Sequence, residues 1–159
     1  MPMLQSRAVA RALAGASLLM AAAAMAQAPG KAAADPRQGT FKTVQGDVTV
    51  VRDNARIAAI VGAAVKSPDR ILTGAGSAAA LTLQDGTVLA IGPDSALDLS
   101  QFQFNATTQE GSVLVSLLRG SLRMLTGAIA RLKPEQVKVT TPTTVIGVRG
   151  TDFIVEENP

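Results

Sequence analysis

The chain has 159 residues and contains no cysteine, histidine, tryptophan or tyrosine. This composition excludes disulfides, thiolate nucleophiles, Ser-His-Asp triads, histidine-ligated haem and Cys/His zinc sites. The four phenylalanines are the only aromatic residues, which argues against a stacking platform for single-stranded nucleic acid. We therefore expect no catalytic residues, no cofactor and no metal site.

The first 26 residues have the organisation of a secretory signal peptide. Arg7 and Arg11 precede an alanine-rich apolar run over residues 12–25, which ends in small residues where signal peptidase cleaves. Cleavage after Ala26 would leave Gln27 as the N-terminus, and cleavage two residues later is the less favoured alternative. The run is short for a membrane span of about 20 residues, so an uncleaved anchor or a buried helix is a minor alternative.

Export determines the expected charge and location of the mature protein. The full chain has a net charge of +3. Loss of Arg7 and Arg11 leaves 13 basic and 12 acidic residues, a net charge of +1. DNA-binding domains usually concentrate far more positive charge. We expect a periplasmic or secreted protein that does not bind nucleic acid and has no membrane span after cleavage.

The rest of the chain is typical of an all-β protein. Residues 27–38 have no apolar period and are predicted to be a flexible linker. Residues 39–159 alternate short runs of Val, Ile, Leu and Thr with Gly, Asp, Pro and Ser. This pattern predicts one domain of many short strands, rolled, sandwich-like or a short β-solenoid. Strands are predicted over 40–44, 47–52, 57–61, 70–73, 78–83, 87–91, 96–99, 113–118, 121–125, 137–140, 145–148 and 152–156. Residues 58–65 and 127–132 contain enough alanine to form a helical turn instead.

One hairpin can be predicted in register. A three-residue loop with Gly86 in a left-handed conformation pairs Leu81 with Leu89 and Leu83 with Thr87. The large apolar residues then share one face of the hairpin. A two-residue loop would scatter them over both faces, so the three-residue loop is preferred. Gly86 is expected to be structural because it must adopt a positive φ.

Three weaker patterns each have a simple structural interpretation. Gly74–Ala79 matches a loose dinucleotide fingerprint, but the residues that follow alternate like a strand, which favours a plain turn. Asp94 and Asp98 could form a cation site or a hydrolytic pair, although Pro-Asp-Ser is ordinary turn chemistry. The evenly spaced basic residues in the later part of the chain favour a solvated face; they are Arg119, Arg123 and Arg131.

The densest pattern extends from Thr140 to Phe153. Pro142 is expected to end one strand, and glycines at 147 and 150 flank Arg149. These glycines permit bends or close backbone contact. Arg149 could point inward to pair with Asp152 or Asp85, or outward towards a partner. Phe153 is expected to anchor the core.

This run contains the pattern Thr-Pro-x-x-x-Ile-Gly-Val-Arg-Gly-Thr-Asp-Phe. The pattern resembles the hallmark of the FecR-like periplasmic domain family. Upstream blocks around Asp69, Asp85 and Gly120 resemble the family in the same order, so the likeness extends from about Gly39 to Val155. The residues that carry the resemblance are Asp69, Thr73, Asp85, Gly86, Thr87, Gly120, Thr141, Pro142, Gly147, Arg149, Gly150, Thr151 and Phe153.

The resemblance implies an all-β periplasmic module. In the founding members this domain is attached to a membrane helix and relays the state of an outer-membrane iron–siderophore receptor to a cytoplasmic sigma factor. We therefore expect an exported, non-enzymatic binding or signalling module whose partner is an unidentified envelope protein or a second copy of the chain. The alternatives are a structural envelope β-protein without a signalling role and a hydrolase that uses Asp94 and Asp98.

The last predicted strand, 152–156, suggests how such a module could act. No later strand in the sequence covers it, so one of its edges is expected to be open. An open edge can dock another strand. The alternative is that the terminus frays and Glu156 and Glu157 keep it soluble.

Overall fold

The computed structural model describes residues 37–149 and 152–158. The predicted signal peptide, nearly all of the predicted linker, Gly150 and Thr151 lie outside the described residues. Gln38, the last residue of the predicted linker, is already bound to the domain, because its backbone N–H donates to Val65 O at 2.9 Å. Within the described ranges, no helix has the length and apolar character needed to cross a membrane.

The described residues are almost entirely β-structure. In chain order the strands are β1 (Gly39–Gln45), β2 (Val48–Arg52), β3 (Ala55–Ala58), β4 (Ala64–Val65), β5 (Arg70–Thr73), β6 (Ala78–Leu83), β7 (Val88–Ile91), β8 (Ala96–Asn105), β9 (Glu110–Leu125), β10 (Val137–Thr140), β11 (Val145–Gly147) and β12 (Asp152–Glu157). A short helix, α1 (Ala128–Leu132), and a 3₁₀ turn, Pro134–Gln136, connect β9 to β10.

Four long antiparallel strands form the centre of the sheet, and each bends near its middle. The first consists of β1 and β2, the second of β5 and β6, and the third of β7 and β8, while β9 is the fourth. β9 pairs with β7 through residues 122–125 and with β8 through residues 110–119. The bend divides the sheet into two halves that share these four strands.

The remaining strands extend both halves. Half A has the order β12-β9-β7-β6-β1-β4, and half B has the order β11-β10-β9-β8-β5-β2-β3. β10 runs parallel to β9, from Val137 opposite Val113 to Thr140 opposite Ser116. The 12 strands therefore form one curled sheet, which confirms the all-β, single-domain prediction. Of the three predicted arrangements, which were rolled, sandwich-like and solenoid, the rolled arrangement matches this curled sheet.

Buried hydroxyls hold the four long strands together where they bend, in a region we call the corner (residues 46–47, 73–77, 92–95 and 120–121). Ser77 Oγ accepts the N–H of Asp47 at 2.8 Å. Thr73 Oγ1 donates to Gly92 O at 2.6 Å and accepts the N–H of Ser95 at 2.9 Å. The corner thus links three of the strands through hydroxyls that solvent does not reach.

Ser95 continues this network to the fourth long strand. Its hydroxyl accepts the N–H of Ser121 at 3.0 Å and donates to Pro93 O at 3.0 Å. Gly120, next to Ser121, has φ +89° and lies so close to Ser95 that a Cβ would stand 2.1 Å from its Oγ. β9 can therefore bend here only with glycine at position 120.

Both halves contribute one face to a single core. Leu81, Leu89 and Leu122 of half A and Ile71 and Leu97 of half B are fully buried in the same cluster. Buried and half-buried residues alternate strictly along β6, as expected for a strand with one face on the core. The core therefore lies between the two halves of the curled sheet.

The predicted β6–β7 hairpin is confirmed. Leu81 lies opposite Leu89, and the N–H of Leu83 donates to Thr87 O at 2.8 Å. Gly86 has φ +85°, as the three-residue loop requires. The hairpin places its large apolar side chains on the core face, which is the reason for preferring this register.

Several strand predictions were wrong in extent; 96–99, for example, is only the first part of β8, which continues to Asn105. A strand over 57–61 was predicted, but β3 ends at Ala58 and the N–H of Ala63 donates to Ile60 O at 3.0 Å in an exposed turn. Strands over 113–118 and 121–125 were predicted separately, but both belong to β9, because Gly120 bends the strand without ending it. The ambiguous segment 127–132 forms α1.

Replacing Gly86 by valine tests the hairpin. Valine is strained at φ +85°, so Gly86→Val should lower the free energy of unfolding by about 1–2 kcal/mol in urea denaturation. Gly147→Val is the matched control, because a Cβ at Gly147 meets no atom within 4 Å and the backbone is extended. Equal stability of the two variants would contradict the left-handed turn.

Candidate functional site

The residues of the family-like motifs separate into two groups in the structure. One group lies in the corner, in the hairpin turn and in the loop before β5, and its polar side chains are buried; it comprises Asp69, Thr73, Asp85, Gly86, Thr87 and Gly120. The other lies near the surface around β10, β11 and β12; it comprises Thr141, Pro142, Gly147, Arg149 and Phe153. The two groups can therefore have different roles.

Asp69 is a buried anchor in half B. It is 1% exposed, and its carboxylate accepts hydrogen bonds from Arg52 Nε at 2.7 Å and Arg52 Nη2 at 2.6 Å. It also accepts the N–H of Lys66 at 2.9 Å. The hydrogen bond with Asp69 raises the pKa of Arg52 above its ordinary value. These hydrogen bonds occupy both carboxylate oxygens and hold β2 to the loop before β5.

Asp85 and Thr87 connect the hairpin turn to α1. Thr87 Oγ1 donates to Asp85 Oδ2 at 2.7 Å and accepts the N–H of Gly127 at 3.0 Å. The N–H of Ala128 donates to Asp85 O at 2.8 Å. A Cβ at Gly127 would stand 2.3 Å from Asp85 O, so only glycine permits this contact. These polar side chains are buried and complete their hydrogen bonds within the fold.

The second group begins with the turn between β10 and β11. β10 ends at Thr140, two residues before Pro142, as predicted. Thr141 Oγ1 accepts the N–H of Thr144 at 3.1 Å and the N–H of Thr141 donates to Thr144 O at 2.8 Å. Val145, which follows this turn, is 70% exposed. The motif therefore presents a hydrogen-bonded, threonine-rich turn and an apolar side chain to solvent.

Arg149 points outward. Its side chain is exposed, and it pairs with neither Asp152 nor Asp85, the two carboxylates predicted as its possible partners. Asp152 instead accepts hydrogen bonds from Arg123 Nε at 3.0 Å and Nη2 at 2.5 Å, and Asp85 binds Thr87. The hydrogen bond from Arg123 lowers the pKa of Asp152. Of the two orientations considered for Arg149, the structure has the outward one.

A groove of about 300 Å³ lies between β11 and β12. Arg149, Phe153 and Ile154 line it, together with their neighbours Ile146–Val148 and Val155. Phe153 is half-buried and packs against the core from the edge, so it is a partial anchor. A second depression, of about 320 Å³, lies beside Lys138, Glu135 and Arg149. The exposed motif residues thus surround concave surface that has both apolar and charged walls.

The weaker sequence patterns do not form a site. Asp98 binds Arg70 through both oxygens, at 2.6 and 2.8 Å, while Asp94 is an exposed corner residue. Residues 74–77 form a turn that leads directly into strand β6, which begins at Ala78; this confirms the predicted plain turn and not a nucleotide-binding loop. Arg119, Arg123 and Arg131 are exposed, as expected for a solvated face. Within the ranges that the structure describes, no cluster of three or more carboxylates could hold a metal ion.

Sequence reasoning missed several residues that position the motifs. Ser77 and Ser95 looked like ordinary turn residues, since their partners lie 30 and 26 residues away in the chain. Arg52 carried no local signal for its contact with Asp69. Gly127 preceded an alanine-rich segment, and only the structure shows how closely Asp85 approaches it.

Comparison with known proteins identifies the family. The model of the family described as FecR protein matches residues 69–159, more than half of the chain. Neither the curated proteins nor the solved structures contain a match to the chain. The matched range includes the buried anchors Asp69 and Asp85 and the exposed segment from Thr141 to Arg149. The chain belongs to the FecR protein family.

Proposed function

We propose that this protein is an exported, non-enzymatic binding module that carries a signal through protein–protein contacts in the cell envelope. Membership of the FecR family supports a regulator-like role. The observation that carries the proposal is the exposed half of the motif. Val145 is 70% exposed and Ile154 is 64% exposed, and Arg149 lies between them in the chain. Exposed apolar residues beside a charged group are typical of a contact surface.

The carboxylates support a role without catalysis. Asp69 is bound by Arg52, Asp98 by Arg70, and Asp152 by Arg123. A general acid or base needs a carboxylate that can approach a substrate and exchange a proton. Asp98 and Asp152 instead stabilise strand pairs, and Asp69 holds β2 to the loop before β5. The proposal therefore assigns the exposed motif to binding, and the alternative is a structural envelope protein.

Photo-crosslinking in producing cells tests the contact surface. A photoreactive residue at Val145 or Ile154 should yield a discrete adduct with an envelope protein. The matched control is Ile60, which is 67% exposed and lies outside the matched range. The same adduct in equal yield from Ile60, or no adduct from Val145 and Ile154, would contradict the proposal and favour the structural alternative.

The location has its own test. We expect the protein isolated from the periplasm to begin at Gln27, because the signal peptidase recognises the small residues at 24 and 26. Intact-mass measurement of the periplasmic protein determines its N-terminus. Recovery of the full-length chain in the membrane fraction would contradict cleavage, and recovery in the cytoplasm would contradict export.

A further inference from the structure

β12 has one open edge in the described part of the chain. One side pairs with β9, from Asp152 opposite Leu125 to Glu157 opposite Gly120, and no described strand pairs with the other side. β12 has six residues and contains no proline, and its charged side chains are all acidic, so they disfavour acidic strands at this edge and favour basic ones. At the opposite edge of half A, β4 has only two residues. β12 is therefore the longer template for another strand.

The groove beside this edge has room for side chains of an added strand. Its wall residues Ile146 and Phe153 are half-buried and pack against the core. Between them, Gly147 has no side chain, and a Cβ there would meet no atom within 4 Å. An added strand would pair with the open edge of β12 and direct alternate side chains towards the groove. Backbone pairing and side-chain pockets are the two components of recognition by strand addition.

The charges on β12 discriminate between occupants. Ile154 lies between Asp152 and Glu156 on the outward face of the strand. If two copies paired antiparallel with Ile154 opposite Ile154, Asp152 of each copy would lie opposite Glu156 of the other. Like charges in directly opposite positions destabilise a strand pair. Arg123 binds Asp152, but Glu156 has no cationic partner among residues 37–149 and 152–158. A strand with basic residues at these two positions is a better match than a second copy.

We propose that β12 binds an extended segment of another envelope protein by strand addition. In this segment an apolar residue lies opposite Ile154, and Lys or Arg residues two positions away on either side lie opposite Asp152 and Glu156. The two intervening residues are apolar and face the groove. The inference rests on the proposed function and specifies the chemistry of the partner.

Two capped synthetic peptides test the charge pattern. The first contains Lys-Val-Ile-Val-Lys between threonines, and the second has Glu in place of both Lys. Because two cross-strand pairs change from attraction to repulsion, the lysine peptide should bind about tenfold tighter in fluorescence anisotropy. Glu156→Lys should reduce this preference at least threefold. Asp53→Lys, at an exposed carboxylate in the turn between β2 and β3 at the far edge of half B, should leave it unchanged. Equal binding of the two peptides would overturn the proposal.

Backbone pairing is tested on the peptide, so the protein fold is not altered. Alternate N–H groups of an added strand face its neighbour. Two versions of the lysine peptide carry N-methyl groups on one or the other alternate set of residues. We expect one version to lose binding and the other to retain it. Retention by both would show attachment through side chains only and would overturn strand addition.

The outcomes separate this proposal from the proposed function. If crosslinks form at Ile154 in cells but the lysine peptide has no preference, the strand model fails and the envelope-contact function stands. If the peptides behave as expected but no crosslinks form, strand addition at β12 is supported and the proposed envelope-contact function is contradicted. Sedimentation velocity measures whether two copies of the chain associate. A dimer that Ile154→Lys abolishes would show that a second copy binds β12, and would overturn the proposal that the strand comes from another protein.

Discussion

The curled sheet depends on buried hydroxyl groups at its corner. Four long strands bend there, and each bend removes backbone groups from the regular ladder. Thr73 and Ser95 replace the lost partners, because each hydroxyl both donates and accepts a hydrogen bond. Buried polar groups are costly unless they are paired, so these hydroxyls stabilise only the bent arrangement. Gly120 allows the fourth strand to approach Ser95 closely enough to join the network.

This constraint explains why the family motif has two parts. Residues such as Asp69 and Thr87 complete their hydrogen bonds inside the domain and leave nothing for a ligand. Asp69 holds β2 to the loop before β5, and Thr87 holds the hairpin turn to α1. The segment containing Val145 and Arg149 is positioned by β10, and among the described residues no strand pairs with the other side of β11. The internal part of the motif thus supports the surface that we assign to binding.

The sequence predicts those features that depend on local patterns. The β6–β7 register followed from the spacing of Leu81 and Leu89, because only one loop length places both on the same face. The break predicted at residues 119–120 is a bend and not the end of a strand, because local spacing does not distinguish a glycine that ends a strand from one that bends it; the contact of Gly120 with Ser95 makes the difference. Arg149 had two possible orientations, and the choice depended on Arg123, which binds Asp152 from a neighbouring strand. Long-range contacts of this kind leave no trace in local spacing.

The stability of Gly120→Ala tests the role of the corner most directly. At φ +89° and with a Cβ 2.6 Å from both Cα and Cβ of Ser95, alanine would be strained and would separate the strands. The account predicts a loss of about 2–5 kcal/mol in the free energy of unfolding measured in urea. Gly147→Ala, which meets open space, should change it by less than about 0.5 kcal/mol. A Gly120→Ala protein as stable as the parent would contradict the claim that the curled sheet depends on this corner.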